Sequence, residues 1–129
     1  MEILTIVTLL AILQFISFGA FVGMARGKYG VAAPATTGNQ FFERQYRIHY
    51  NTMEQLIVFV PGLWAFGHFI NFNWAAGIGL IYLIGRVVYA IAYAKDPAAR
   101  GTGMIMTVLP SYVLVLGGLG GAIFAFFSG

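Results

Sequence analysis

Three long stretches without any charged side chain place the strongest constraint on this chain of 129 residues. They cover residues 3–25, 55–85 and 101–129, and each is longer than the roughly 18 apolar residues that mark a candidate membrane-spanning helix. Charged residues make up 9% of the chain and hydrophobic residues 60%, whereas about 25% of a typical soluble domain is charged. A chain this short cannot bury so many apolar side chains within itself. The sequence therefore excludes a soluble domain and predicts an integral membrane protein.

The polar breaks between the apolar stretches divide the chain into four predicted transmembrane helices of an all-α bundle. We place these helices, all within one domain of residues 1–129, at about residues 3–25, 41–69, 75–94 and 101–127. Pro61 and Pro110 lie inside two of them, where the missing backbone N–H predicts a bend. Gly117 and Gly121 form a small-xxx-small pair that allows another helix to approach closely.

The basic residues indicate how the helices are oriented in the membrane. Six of the seven lie in or beside the first and third loops, namely Arg26, Lys28, Arg44, Arg47, Lys95 and Arg100. Because positively charged loops stay in the cytoplasm, these two loops are predicted to be cytoplasmic and both termini to lie on the opposite side. The short loops favour a bacterial inner membrane. The net charge of +3 is thus a topology signal, and no nucleic-acid partner is expected.

The absence of cysteine limits the chemistry that the chain can perform by itself. With none in the sequence, disulfides, thiolate metal sites and a protein thiol nucleophile are excluded. Any sulfur chemistry must therefore come from a bound small molecule.

Two polar stripes run along the predicted second and third helices. Arg47, Asn51 and Glu54 follow i, i+4, i+7 spacing, and the third helix carries a stripe of Arg86, Tyr89 and Tyr93. Each set lies on one helical face, so the two stripes predict a pocket with a cationic mouth and an anionic interior. Such a pocket suits a small zwitterion, because arginines bind carboxylates in a bidentate manner. Glu54 would bind its ammonium group and Asn51 its amides, while the bilayer would supply an apolar second substrate.

Glu54 and Arg86 lie deeper than residues that merely mark the interface. Glu54 comes seven residues after Arg47, and Arg86 comes seven before Tyr93, which places each about 10 Å further into the membrane at 1.5 Å per residue. A charge at this depth costs on the order of 3 kcal/mol. Two readings follow: Arg86 pairs with Glu54, directly or through other polar groups, and locks the helices together, or it contacts the ligand.

The residues of these stripes also carry a resemblance to a known family. Thr36-Thr37-Gly38, the spacing Arg-x3-Asn-x2-Glu from Arg47 to Glu54, and the spacing Gly-Arg-x2-Tyr-x3-Tyr-x6-Arg from Gly85 to Arg100 resemble the signature of the MAPEG family. These are the membrane-associated proteins of eicosanoid and glutathione metabolism, and the chain looks most similar to the microsomal glutathione S-transferases among them. The similarity covers nearly the whole chain in helix number, order and loop length.

The resemblance implies a homotrimer of four-helix subunits that holds glutathione between neighbouring subunits near the cytoplasmic face. Arg26 matches an arginine that reaches glutathione from the adjacent subunit, and Lys28 would assist or replace it. Arg100 matches the catalytic arginine that faces the glutathione sulfur. The other implied glutathione contacts are Arg47, Asn51, Glu54, Tyr89 and Tyr93.

The implied function is a glutathione S-transferase or peroxidase that attacks lipophilic electrophiles or lipid hydroperoxides. A free thiol with a pKa of about 8.5 is mostly protonated at neutral pH, and its thiolate is the nucleophile. Arg100 would stabilise that thiolate. Two alternatives stay open: a non-catalytic lipid-binding scaffold of the same family, and a small proton-coupled multidrug transporter that uses Glu54.

Several residues depart from patterns found in parts of the family. Gln55 stands where some members have a tyrosine, while Gly101 and Tyr89 stand where the prostaglandin synthase-like members have serine and histidine. Prostaglandin isomerase activity is therefore not expected. His49 either lines the pocket from a neighbouring subunit or faces away from it, and His68 is assigned no chemistry.

Overall fold

The computed structural model describes all residues from Met1 to Gly129 and consists of helices alone. Four long helices follow one another, and a short 3-10 turn at Pro97–Arg100 joins the last two. The helices are α1 (Glu2–Tyr29), α2 (Gln40–Phe69), α3 (Phe72–Lys95) and α4 (Gly101–Ser128). The prediction of an all-α chain is confirmed.

Asparagine side chains define where the second and third helices begin. Asn39 accepts hydrogen bonds from the backbone N–H groups of Phe41 and Phe42 at 2.9 and 3.0 Å, which caps α2. Asn71 caps α3 in the same way by accepting from the N–H of Trp74 at 2.9 Å. Because of this cap, α3 begins three residues earlier than predicted, and Trp74 lies in its first turn rather than in the loop before it.

Three of the helical segments are long and apolar enough to cross a membrane. These are α1, α3, and the 3-10 turn together with α4. The second helix has 30 residues, about 45 Å at 1.5 Å per residue, but the polar stripe in its first half lowers its hydropathy below that of the others. The length and composition of the three apolar segments indicate an integral membrane protein.

The core of the bundle lies where α2 and α3 meet their neighbours. α4 packs against α2 and α3, while α1 packs against α2 and, over a smaller area, against α3. Phe59 of α2 stacks on Tyr82 of α3 with ring centres 3.8 Å apart, and Leu4 of α1 and Leu114 of α4 are fully buried in the same cluster. Two smaller apolar clusters are buried nearer the other end of the bundle, while many further large apolar side chains, such as Leu9, Ile16 and Leu116, are exposed on the outside.

Glycines bring α4 close to its two partners. A Cβ at Gly118 would come within 2.8 Å of the Ala65 Cβ in α2, and Gly103 lies directly against the backbone of Tyr89 in α3. The predicted close approach at Gly117 and Gly121 therefore occurs within the chain, against α2. The contact at Gly103 also brings the start of α4 beside Tyr89.

Candidate functional site

A polar cavity of about 270 Å³ lies at the end of the bundle where α2 and α4 begin and α3 ends. α2 contributes two lining residues, α3 two, the 3-10 turn one and α4 one. They are Arg47, Asn51, Tyr89, Tyr93, Arg100 and Met104. Five of the seven residues predicted from the sequence thus lie around one cavity. Those in α3 and the turn come several tens of residues after those in α2, and the fold brings them together. Met104 was not predicted, because an apolar residue in an apolar helix carries no signal.

Asn51 gives the cavity an unused hydrogen-bond acceptor. Its side chain is only 6% exposed, and its Oδ1 atom accepts no hydrogen bond within the chain. Leaving such a group unpaired costs about 1–3 kcal/mol. A ligand that offers an N–H group in the cavity would remove that cost, so the carbonyl of Asn51 suits an amide-containing ligand.

Arg47 and Glu54 form an ion pair at the edge of the cavity. Their closest N and O atoms lie 3.8 Å apart, and both side chains are about half exposed. Glu54 therefore contacts Arg47 and is not itself a lining residue. The predicted stripe is present, and within it Glu54 is positioned to hold the guanidinium of Arg47.

Two tyrosines form the wall that α3 contributes. The rings of Tyr89 and Tyr93 stack with centres 5.5 Å apart, as their i, i+4 spacing allows. Tyr89 is 2% exposed and packs among Phe18 and Ile48, so its position is fixed by α1 and α2 as well as by α4. Both phenol groups can donate a hydrogen bond to a ligand.

Arg100 lies in the 3-10 turn that leads into α4. Its guanidinium donates one hydrogen bond to the carbonyl oxygen of Pro97 at 3.1 Å, and the side chain of Asp96 caps the turn by accepting from the N–H of Ala98 at 3.0 Å. A guanidinium has five N–H donors, so most of those of Arg100 are left for an anion in the cavity.

Arg86 lies behind the cavity wall and is fully buried. It donates hydrogen bonds to the hydroxyl oxygens of Thr52 at 2.7 Å and Thr107 at 3.4 Å, and its guanidinium lies 4.4 Å from the ring centre of Tyr89. The hypothesis of a direct Arg86–Glu54 ion pair is wrong, since Glu54 pairs with Arg47 instead. Residues two apart on a helix point about 200° apart, so when Thr52 faces Arg86, Glu54 points away.

Arg26 does not reach the cavity of its own chain. It donates to the carbonyl oxygen of Ala35 at 2.7 Å, and its guanidinium lies 4.8 Å from the ring centre of Phe42. Lys28 lines a different groove, between α1 and α3. His49 stacks on Phe15 with ring centres 4.4 Å apart, also outside the cavity. A role of Arg26 toward an adjacent subunit stays a prediction.

Known proteins are similar to this chain over most of its length. The model of the MAPEG family matches residues 3–120. An uncharacterized protein of Synechocystis is 44% identical over 114 residues, which cover 88% of this chain and 83% of that protein. Human microsomal glutathione S-transferase 2 is 35% identical over 92% of this chain and 81% of its own length. Bovine leukotriene C4 synthase is 36% identical over 88% of this chain and 75% of its own length. The chain that builds this polar cavity among apolar helices is therefore a member of the MAPEG family.

Proposed function

We propose that this protein is a membrane-bound glutathione S-transferase that binds glutathione in the polar cavity and presents its thiolate to a lipophilic electrophile. The observation that carries the proposal is the cavity itself, which brings Arg47, Asn51, Tyr89, Tyr93 and Arg100 together. The similarity to a protein named microsomal glutathione S-transferase and to one named leukotriene C4 synthase supports it.

The lining residues match the functional groups of glutathione, a tripeptide with two carboxylates, one ammonium group, two amides and a thiol. Arg47 would bind a carboxylate by charge-assisted hydrogen bonds, and Asn51 would accept from an amide N–H. Glu54, which lies beside the cavity and not in its lining, would bind the ammonium group while it holds Arg47 in place. Arg26 of a neighbouring subunit would bind the second carboxylate.

Arg100 would act on the sulfur as an electrostatic partner. Its guanidinium stays protonated at neutral pH, so it stabilises the thiolate while the thiol proton leaves to water. The thiolate then forms a bond to an electrophilic carbon of the second substrate, whose leaving group departs with the bonding electrons. With a lipid hydroperoxide, the thiolate would instead attack the terminal oxygen. The O–O bond would break, the lipid alkoxide would take a proton and leave as an alcohol, and the sulfur would become a sulfenic acid. A second glutathione thiol would then react with the sulfenic acid to give glutathione disulfide and water.

The proposal includes an arrangement in the membrane. Four transmembrane helices, with α2 as the fourth member, would place both basic loops on the cytoplasmic side. A homotrimer would bring Arg26 of one chain to the cavity of the next. The cavity opens at the end of the bundle that carries the basic loops, so glutathione would enter from the cytoplasm and the electrophile from the bilayer.

The proposal is tested by titrating the detergent-purified protein with glutathione and recording the ultraviolet absorbance of the thiolate at neutral pH. A saturable thiolate signal, together with conjugation of a lipophilic aryl halide, is expected. The S-methyl derivative of glutathione binds without a thiol and serves as the blank. If glutathione binds but gives no thiolate signal, or does not bind at all, the transferase function is wrong.

Asn51→Ala is expected to weaken glutathione binding without destabilising the protein. The substitution removes a buried acceptor that has no partner in the chain, so the unfolding temperature without ligand should stay the same or rise. The lost hydrogen bond to the ligand is worth about 1–3 kcal/mol, which corresponds to a rise of roughly 5- to 150-fold in Kd. Calorimetric titration and thermal unfolding measure the two effects separately. A Kd equal to that of the wild type would show that Asn51 does not contact glutathione.

A further inference from the structure

A groove of about 700 Å³ lies between α1 and α3. Its walls are apolar: Phe18, Phe21 and Met24 line it from α1, and Val87 and Ile91 line it from α3. One end is polar, where Lys28, Tyr29 and Gln45 line it. The proposed transferase function does not use this groove.

The groove and the polar cavity lie on different faces of α3. Val87 and Ile91 line the groove, whereas Tyr89 and Tyr93 line the cavity. Tyr89 follows Val87 by two residues and Tyr93 follows Ile91 by two, so the two pairs point about 200° apart around the helix. A ligand in the groove is thus separated from the glutathione cavity by the body of α3.

The dimensions of the groove match one half of a bilayer. It extends along α1 from Phe18 to Lys28, and the ten steps between these residues rise about 15 Å. The hydrocarbon core of a membrane is about 30 Å thick, so the groove has the depth of one leaflet. A single acyl chain that enters from the interface would lie along it.

Lys28 supplies a free positive charge at the polar end. Its side chain forms no ion pair or hydrogen bond, and its ammonium group lies 5.4 Å from the ring centre of Tyr29. No other lysine or arginine lines the groove, and Arg47, at the same end of the bundle, pairs with Glu54. Lys28 is therefore the cation beside the groove that is available to an anionic headgroup.

We propose that this groove is a binding site for one anionic phospholipid, with an acyl chain along α1 and α3 and the phosphate at Lys28. Charge complementarity selects the headgroup, because an interfacial lysine attracts anionic lipids. Gln45 is half-buried at the same end and can donate to the phosphate or glycerol oxygens. The site holds its lipid independently of glutathione, and the proposal does not depend on the transferase function.

Native mass spectrometry of the purified protein tests the proposal. The protein is titrated with phosphatidylglycerol and, separately, with phosphatidylcholine of the same chain length. We expect one phosphatidylglycerol per chain to bind in preference to phosphatidylcholine. Lys28→Gln should reduce that preference by about fivefold, the factor that corresponds to roughly 1 kcal/mol for one interfacial lysine. Lys95→Gln is the matched control, because Lys95 is an exposed cation at the same end that does not line the groove.

A second pair of variants tests the groove itself. Val87 is 45% exposed, so Val87→Trp should fill the groove without disturbing the core and abolish the bound lipid. Ile84→Trp is its control, since Ile84 is 56% exposed on α3 outside the groove. Equal binding of the two lipids by the wild type would overturn the proposal. So would a Val87→Trp protein that keeps its lipid, or one that changes its number of subunits instead, which would identify the groove as an interface between copies of this chain.

Discussion

Arg100→Ala is expected to abolish the thiolate signal of bound glutathione while leaving glutathione bound. The other cavity residues, Arg47 and Asn51 among them, would still hold the peptide. Without the guanidinium the pKa of the bound thiol should return toward the value of a free thiol, about 8.5, and conjugation at neutral pH should fall by roughly 100-fold or more. The pH dependence of the thiolate absorbance measures the pKa directly, and calorimetry measures the binding.

The exposed position of Arg100 makes this experiment clear to interpret. Its side chain is exposed and its one hydrogen bond is to Pro97 in the same turn, so its loss should not affect folding. Lys95→Ala is the control, because it removes an exposed cation from the adjacent end of α3. Arg100→Lys keeps the charge and should retain part of the signal. If Arg100→Ala loses glutathione binding in full, Arg100 is a binding residue rather than the partner of the sulfur.

The order of helices and most of the cavity could be predicted from the sequence. Charge-free stretches mark the helices, and polar residues at helical spacing within them mark a shared face. Arg47 and Asn51 in α2 and Tyr89 and Tyr93 in α3 are brought to one cavity in this way. The stripes alone predict a pocket, but the place of Arg100 beside it came from the resemblance, since a single arginine in a loop is equally typical of a membrane-interface anchor.

The partners of Arg86 could not be predicted from depth alone. Depth follows from counting residues along a helix, but direction depends on the rotation of the helix about its axis. At the depth of Arg86, α2 offers both Glu54 and Thr52, and opposite charge favours Glu54. The structure brings the hydroxyl of Thr52 to the guanidinium instead, because α2 turns its polar stripe toward the cavity.

The position of Arg26 shows a different limit. Its contacts with Ala35 and Phe42 satisfy part of its hydrogen-bonding capacity within the chain, and no contact in one subunit brings it to the cavity. The contact proposed for Arg26 lies between two chains, so its residue spacing within one chain carries no signal for it.

Arg86→Met is expected to leave the fold intact and to weaken thiolate formation. The buried guanidinium has no carboxylate partner, and its Nε atom has no acceptor, so replacing it with an apolar side chain of similar length should be neutral or stabilising. The hydroxyl hydrogens of the two threonines keep their acceptors in this variant. The hydroxyl of Thr52 donates to the carbonyl of Ile48 and that of Thr107 donates to the carbonyl of Gly103, both at 2.8 Å.

The functional loss in Arg86→Met should follow from electrostatics. The guanidinium lies behind the ring of Tyr89. If the bound sulfur lay about 10 Å from it, a unit charge in an effective dielectric of about 20 would contribute roughly 1.7 kcal/mol. Its removal should raise the pKa of the bound thiol by about one unit, since one unit equals about 1.4 kcal/mol, and lower conjugation at neutral pH roughly tenfold. Arg86→Lys keeps the charge and should keep the thiol pKa near that of the wild type. If Arg86→Met instead lowers the unfolding temperature and leaves the thiol pKa unchanged, Arg86 only joins the helices, and the positive field of the cavity comes from Arg47 and Arg100 alone.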